Sequence, residues 1–103
     1  MSEVPPGVAI ETVWAIEASY APDAVERRAP VRAQHLERIA RLQREGVIVA
    51  AGAFGDLSGS IILARLPDEA AVRELIEGDV YWSSGVWTGY RPRQFGLVRL
   101  ADG

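Results

Sequence analysis

Residues 47–66 read VIVAAGAFGDLSGSIILARL, two apolar runs joined by a stretch of turn-forming residues. The first run, residues 47–54, is continuous and rich in valine and alanine, which predicts a central strand covered on both faces. The second run, residues 60–66, also has the length of a strand, and the glycines, aspartate and serine between the runs favour a turn. Because a short loop between adjacent runs favours a hairpin, we expect the two strands to be antiparallel neighbours.

Helices are predicted on both sides of this hairpin. Residues 30–45 repeat one apolar stripe at helical spacing, made of Val31, His35, Ile39 and Leu42. Residues 67–78 predict a second helix with Asp68 near its N-terminus, Gly78 as its stop and an inner face of Ala71, Val72, Leu75 and Ile76. The only histidine of the chain, His35, is therefore expected to point inward from the first helix.

The remaining strands come from the two ends of the chain. Residues 11–21 alternate apolar and polar side chains, which is typical of a half-buried strand. Residues 86–100 predict a final strand interrupted at Gly89 and Pro92, whereas residues 22–30 predict a loop. The element order is then β-α-β-β-α-β, which is the ferredoxin-like α+β arrangement of a four-stranded antiparallel sheet with two helices on one face.

Two helices on one face of a sheet leave its other face uncovered. We expect that face to present some of four aromatic side chains: Trp14, Trp87, Tyr90 and Phe95. An exposed apolar face of this kind marks an interaction surface. The sequence therefore predicts a homodimer in which two sheets pack against each other.

Length and composition predict one ordinary globular domain. The chain has 103 residues, 49% of them hydrophobic and 24% charged. We expect residues 1–8, which contain two prolines and a glycine, to be a flexible lead-in and residues 9–103 to form the domain. No segment approaches the ~18 consecutive apolar residues of a membrane span. The start MSEVPPG lacks the pattern of a signal peptide, so we expect a cytoplasmic protein without membrane partners.

Charge and cysteine usage exclude several functional classes. The formal net charge of -3, with 11 arginines and no lysine, argues against nucleic acid as the main partner. Without cysteine there is no disulfide and no thiolate zinc site, and one histidine leaves only carboxylate-rich metal sites, for which no spaced cluster is visible. We therefore expect no metal.

The residue pattern alone offers one candidate pair for chemistry, His35 and Asp56. An imidazole beside a carboxylate keeps a defined tautomer and has its cation stabilised, so it can accept a proton near neutral pH. The alternative is that His35 is a hydrogen-bonded structural residue. Asp56, which is flanked by glycines, is in turn typical of a simple turn residue.

Two segments resemble a known family. APVRAQHLERIARLQREGVIVAAGAFGDLSGSIILA at residues 29–64 and DVYWSSGVW at residues 79–87 resemble the YciI-like (YCII-related) proteins of the dimeric α+β barrel superfamily. The resemblance extends from about residue 14 to residue 95. Its most specific positions are Arg32, His35, Leu36, Asp56, Gly59, Ser60, Asp79 and Tyr81. Two positions depart from prolines that are common in the family: Ala53 and Val80.

The resemblance implies a dimer and a site built on a histidine–aspartate pair, which maps onto His35 and Asp56. A characterised relative eliminates chloride from a chlorinated hydroxyhydroquinone, and related barrels include a lactone isomerase. The implied activity is therefore a lyase or isomerase reaction on a small oxygenated, aromatic or lactone compound. His35 would accept a proton, Asp56 would stabilise the imidazolium, and no cofactor is required.

Further residues are candidates for substrate binding: Arg28, Arg32, Ser60, Asp79, Tyr81 and Trp82. Arg28 or Arg32 would neutralise an enolate or phenolate, and Trp82 would shape a cavity for a flat ring. Each has a structural alternative, since the arginines also suit solvated positions and Asp79 suits a turn cap. Two other functions stay open: a non-catalytic binder of a small metabolite and an accessory dimeric protein.

Overall fold

The predicted element order is present, with two short helices added to it. The computed structural model describes residues 3–101. Its elements are β1 Val8–Tyr20, α1 Ala24–Arg28, α2 Arg32–Arg44, β2 Ile48–Ala53, β3 Gly59–Ala64, α3 Glu69–Glu77, α4 Val80–Ser83 and β4 Trp87–Leu100. Strand β1 thus begins inside the stretch expected as a lead-in, whose first two residues lie outside the described part of the chain.

The four strands form one antiparallel sheet in the order β2-β3-β1-β4. This order confirms the predicted ferredoxin-like arrangement and the β2–β3 hairpin. Strand β1 pairs with β4 along its whole length, from Val8 opposite Leu100 to Tyr20 opposite Trp87. Its pairing with β3 begins only at Trp14. The first half of β1 and the last half of β4 therefore extend past the rest of the sheet as a two-stranded arm.

The sheet departs from the prediction at its two edges. β2 is an edge strand, and residues 50–53 are exposed. The run is apolar because it consists largely of alanine and glycine, which do not require cover. β4 continues through Pro92, because the missing N–H of a proline is tolerated on an edge strand. The only irregularity in its pairing lies opposite Ser19 and Tyr20, close to Gly89.

Loop residues 22–30 contain helix α1, which the sequence pattern did not predict. The start of α3 agrees with the prediction, because the Asp68 carboxylate accepts a hydrogen bond of 2.9 Å from the backbone N–H of Ala71. Among residues 3–101, no helix combines the length and apolarity that crossing a bilayer requires.

The alternation of β1 decides which aromatic side chains face the helices. Trp14, Trp87 and Tyr90 pack with the core cluster around Ile16 on the helix-covered face. Of the four aromatic side chains, some of which were expected on the open face, these three therefore lie on the helix-covered face. Phe95, which pairs with Val13, is the member of the predicted set on the open face. The strand register was needed to assign each aromatic side chain to a face, because a shift of one residue turns the side chains to the opposite face.

The open face is an apolar strip bridged by ion pairs. Val13 is only 1% exposed, although no helix covers it. Glu11 on the same face binds the guanidinium groups of Arg65 and Arg99, and Glu17 pairs with Arg93. Phe95 remains 42% exposed between these charged groups. This face is consequently less apolar than it would be if Trp14, Trp87 and Tyr90 also lay on it.

Candidate functional site

The imidazole of His35 lies on the side of α2 that faces the core. The helix turns His35 and Ile39 toward the sheet, and His35 is 8% exposed. Its Nδ1 lies 2.7 Å from Oδ1 of Asp79. The two residues are 44 positions apart in the chain, so the contact is a product of how α2 packs on α4.

Asp79 is a buried carboxylate with donors on both oxygens. It sits between the end of α3 at Gly78 and the start of α4, where its Oδ1 accepts the backbone N–H of Tyr81 at 2.8 Å. Its Oδ2 accepts from Nη1 of Arg38 at 2.8 Å. Burial works to raise the pKa of Asp79, but the hydrogen bonds from His35, Tyr81 and Arg38 outweigh it and hold the pKa below its ordinary value.

This arrangement determines which nitrogen of His35 is free. An ionised carboxylate can only accept hydrogen bonds, so Nδ1 of His35 must carry the proton that it shares with Asp79. The neutral imidazole then has its lone pair on Nε2. Nε2 has no hydrogen-bond partner within residues 3–101 and is not sealed from solvent. It is therefore positioned to act as a proton acceptor.

Aromatic rings fix the plane of the imidazole. Tyr81 stacks on His35 with ring centroids 3.6 Å apart and an interplanar angle of 8°. Trp87 meets the edge of this stack at right angles, 5.4 Å from His35 and 5.6 Å from Tyr81. Tyr81 is held in turn by Tyr20, 6.4 Å away. The imidazole is thus clamped between Asp79 and a stacked ring, which favours one orientation.

A cavity of about 190 Å³ opens beside the imidazole, between α2 and the β2–β3 edge of the sheet. Its lining combines apolar and aromatic side chains with a few polar ones: Tyr20, Arg28, Arg32, His35, Leu36, Ile39, Ser60, Ile62, Tyr81 and Trp87, besides the backbone of residues 51–53. Burial raises the pKa of the Tyr81 hydroxyl, while the charges of Arg28 and Arg32 oppose that rise. The volume is below the ~300–1,000 Å³ of drug-sized sites, so the cavity suits a small ligand.

Two polar groups in the cavity wall lack partners. The Oγ of Ser60, a residue 5% exposed, and the Nε1 of Trp87, a residue 3% exposed, are buried without a hydrogen bond within the described residues. Buried polar atoms are normally satisfied, and exceptions concentrate where a ligand or water completes the set.

The structure gathers most of the predicted site residues but corrects one pairing. Arg28, Arg32, Ser60 and Tyr81 surround the cavity with His35, and Asp79 lies behind the imidazole. Asp56 does not contact His35: it is exposed in the β2–β3 turn. There its carboxylate accepts from the backbone N–H and the hydroxyl of Ser58, which lower its pKa. The carboxylate partner of His35 in this chain is Asp79.

Trp82 also lies elsewhere, because it is outside the cavity lining and packs edge to face on Tyr90 at 5.5 Å. Two residues that contact the His35–Asp79 pair were absent from the predicted site residues, Arg38 and Trp87. Arg38 follows His35 by three residues on the same helix, a spacing that places two side chains on one face. That spacing was a usable signal, whereas nothing local in the sequence indicated the position of Trp87.

A larger, more open depression of about 530 Å³ lies between α2 and the α3–α4 junction, at Arg38, Gly78 and Val80, and extends along Glu37, Arg41 and Arg44. It does not reach the imidazole, and the last three side chains are exposed to solvent. We therefore assign the site to the smaller cavity. Within residues 3–101, no three His, Asp or Glu side chains cluster in a way that suits a metal ion.

Comparisons with known proteins agree with the fold and the predicted family. The profile of the YCII-related domain matches residues 12–95. An uncharacterized protein of Haemophilus influenzae is 31% identical over 95 residues, which cover 82% of this chain and 97% of the relative. Among solved structures, 5-chloro-2-hydroxyhydroquinone dehydrochlorinase from Burkholderia phenoliruptrix AC1100, in complex with 2,5-dihydroxybenzoquinone, has a TM-score of 0.71. It is 17% identical, and the match covers 81% of this chain and 92% of that one.

Proposed function

Since the chain belongs to the family of YCII-related domains, we propose that it is a small lyase or isomerase in which His35 transfers a proton on an oxygenated metabolite. The observation that carries this proposal is the contact of 2.7 Å between Nδ1 of His35 and Asp79, which leaves Nε2 as the free base of the site. The dehydrochlorinase activity of the similar fold from Burkholderia phenoliruptrix supports a lyase-like role.

The reaction begins with proton abstraction by Nε2. An acidic C–H or phenolic O–H of the substrate gives its proton to Nε2, and the electron pair moves onto an oxygen of the substrate as an enolate or phenolate. Asp79 stabilises the imidazolium through Nδ1, while Arg28 or Arg32 neutralises the oxygen. The anion then takes the proton back at another atom, which is an isomerisation, or expels a leaving group, which is an elimination.

Arg38 matters to this step because it balances the charge of Asp79 before the reaction. With Arg38 bound to Oδ2, the carboxylate is not an isolated buried charge while the imidazole is neutral. Protonation of His35 then leaves one net positive charge in the cluster, next to the anion formed in the cavity. Arg38 thus acts through Asp79 as a positioning residue.

Hydrogen–deuterium exchange tests the proton transfer directly, because it does not require the product to be identified. The protein is incubated in D₂O with 2,5-dihydroxybenzoquinone, hydroxylated quinols and unsaturated lactones, and the loss of substrate C–H signals is followed by NMR. In His35→Asn the amide can still donate to Asp79, but no base replaces Nε2. We expect the variant to exchange at least about 100-fold more slowly.

Gln34→Ala, one residue away on the exposed side of α2, serves as the matched control and should exchange at the wild-type rate. A His35→Asn protein that is folded and exchanges as fast as the wild type would contradict the proposal. Compounds that bind the wild type without any exchange would instead identify a non-catalytic binder.

We also propose that the functional unit is a homodimer formed through the open face of the sheet. Phe95 is exposed on that face, and Ile61, Leu63 and Leu97, which pair with β1 residues of the same face, are half-buried there. Light scattering should give twice the chain mass of 11.2 kDa; the mass of a single chain would contradict this assembly. A cytoplasmic location stays a prediction, which cell fractionation tests.

A further inference from the structure

Two arginines at the cavity have no carboxylate partner. Arg28 is half-buried at the end of α1, and Arg32 is exposed at the start of α2. Neither forms an ion pair within residues 3–101, whereas the preceding residue, Arg27, holds Asp23 through two hydrogen bonds of 3.0 and 2.9 Å. Arg32 faces the neutral hydroxyl of Tyr81, whose pKa its charge works to lower. These two guanidinium groups are consequently available to a ligand.

Within residues 3–101, no carboxylate of the cavity wall offsets their charge. The lining contains Arg28 and Arg32 but, in this part of the chain, neither aspartate nor glutamate. Asp79 lies behind the imidazole with its side chain fully buried, and its charge is already balanced by Arg38. Guanidinium groups stay protonated at all physiological pH values, so the cavity has two positive charges before any substrate enters.

From this charge we propose that the substrate is a small carboxylic acid whose own carboxylate, separate from the reacting group, is bound by Arg28 and Arg32, one of which also faces the enolate oxygen. The inference rests on the proposed proton transfer at His35 and deepens it by naming the substrate class. A neutral substrate would gain only one negative charge during the reaction, so one of the two guanidinium charges would stay unbalanced. A carboxylate that also gains one charge as an enolate matches both.

The remaining lining defines the rest of the molecule. Leu36, Ile39 and Ile62 provide apolar contacts, and the cavity of about 190 Å³ admits one small ring. The unpartnered hydroxyl of Ser60 is suited to an oxygen of the substrate. The class is therefore a compact acid with a carbonyl-activated C–H. Its C–H bond breaks, an Nε2–H bond forms, and the electron pair moves to the carbonyl oxygen, so no oxidant or reductant is needed.

Binding of two probes that differ in one group tests the charge requirement. 4-Hydroxybenzoate and 4-hydroxybenzamide have nearly the same shape, but only the first has a carboxylate. Because His35 is the only histidine, its NMR signals report occupation of the cavity directly. We expect the acid to bind at least about tenfold more tightly than the amide, since a charged hydrogen bond exceeds a neutral one by that amount.

Variants then assign the preference to the two arginines. Arg28→Gln and Arg32→Gln should each reduce the preference for the acid, and Arg32→Lys, which keeps the charge but loses the planar fork, should retain part of it. Arg41→Gln changes the net charge equally on an exposed part of α2 and should retain all of it. The imidazole spectrum without ligand verifies that each variant is folded.

Equal binding of acid and amide by the wild type, no saturable binding of either, or a preference that survives in both glutamine variants would each overturn the inference. Because binding is measured without turnover, its result is separable from the exchange experiment. Loss of exchange in His35→Asn without any acid preference leaves the proposed function in place and removes this inference. Acid preference without exchange of any substrate would remove the proposed reaction and keep the anion site.

Discussion

Two short segments of this chain share one hydrogen-bonding motif but differ in backbone course and surroundings, since Leu57 has a φ of 58° in a turn whereas Val80 begins helix α4. Residues 55–58 read GDLS and residues 78–81 read GDVY. In each, the aspartate Oδ1 accepts the backbone N–H two residues later, at 3.0 Å for Asp56 and 2.8 Å for Asp79. Asp56 then meets only Ser58 and solvent, whereas Asp79 also binds His35 and Arg38 in the core. A turn motif thus places an aspartate, and tertiary packing decides its chemistry.

The largest expected difference between these aspartates is in stability. Asp79→Asn removes the charge that balances Arg38 inside the protein, and breaking one partner of a buried ion pair should lower the free energy of unfolding by about 3 kcal/mol. Asp56→Asn keeps an exposed turn acceptor for Ser58 and should lower stability far less than Asp79→Asn does. Urea unfolding followed by tryptophan fluorescence, at one fixed protein concentration, measures both. Equal loss of stability in the two variants would contradict the distinction.

The same two aspartates show what the sequence could predict. The hairpin, the two main helices and the order of strands follow from periodicity and turn residues, since these are local signals. His35 was recognised because a polar ring interrupts an apolar stripe. Its partner was not recognised from the residues, because both aspartates fit a turn and separation along the chain contains no information on distance. The resemblance favoured Asp56, and packing of α4 on α2 selected Asp79.

Features that depend on strand register were the hardest to predict from the sequence. Whether Trp14, Tyr90 and Trp87 face the helices depends on where pairing begins and on the irregularity near Ser19, and no local pattern specifies either. The edge position of β2 was hidden for a different reason: alanine and glycine make a segment apolar without requiring burial. Site residues on α2 were easier to place, because helical spacing projects them to one face.

The turn that contains Asp56 should matter through a glycine rather than through its carboxylate. Gly59 and Gly89 lie opposite the same residue, Ser19, on the two neighbouring strands. A Cβ atom on Gly59 would lie 2.5 Å from the carbonyl oxygen of Ala18, whereas one on Gly89 would meet nothing within 4 Å. Gly59→Ala should therefore lower the free energy of unfolding by about 2 kcal/mol, from forced displacement of packed backbone.

Gly89→Ala is the matched control and should change stability by less than about 0.5 kcal/mol. The same urea unfolding measurement compares the two variants. If Gly59→Ala were as stable as Gly89→Ala, the close approach of β3 to β1 would not limit the choice of residue at this position.

The smallest expected effect is the way in which the stability contributed by each of the two aspartates depends on pH and salt. The pKa of Asp79 is lowered in the folded chain, so between the ordinary carboxyl value of 3.8 and that lower pKa the unfolded chain binds more protons. Stability therefore rises with pH across this window and is lost as the pH falls through the folded pKa. Asp56 contributes with the same sign, because hydrogen bonds from Ser58 lower its pKa as well.

High salt separates the contribution of Asp79 from those of exposed ion-paired carboxylates such as Glu11, because it screens exposed charges far more than buried ones. At roughly 1 M salt the Debye length is about 3 Å. The contribution of Asp79 should persist there, since its carboxylate is out of contact with solvent. Unfolding of wild type, Asp79→Asn and Asp56→Asn across acid pH should then show the shallowest pH dependence in Asp79→Asn. If the stability of Asp79→Asn depended on pH at high salt as steeply as that of the wild type, other carboxylates would produce the dependence. Asp79 would then contribute nothing to stability in acid, despite its three hydrogen-bond donors.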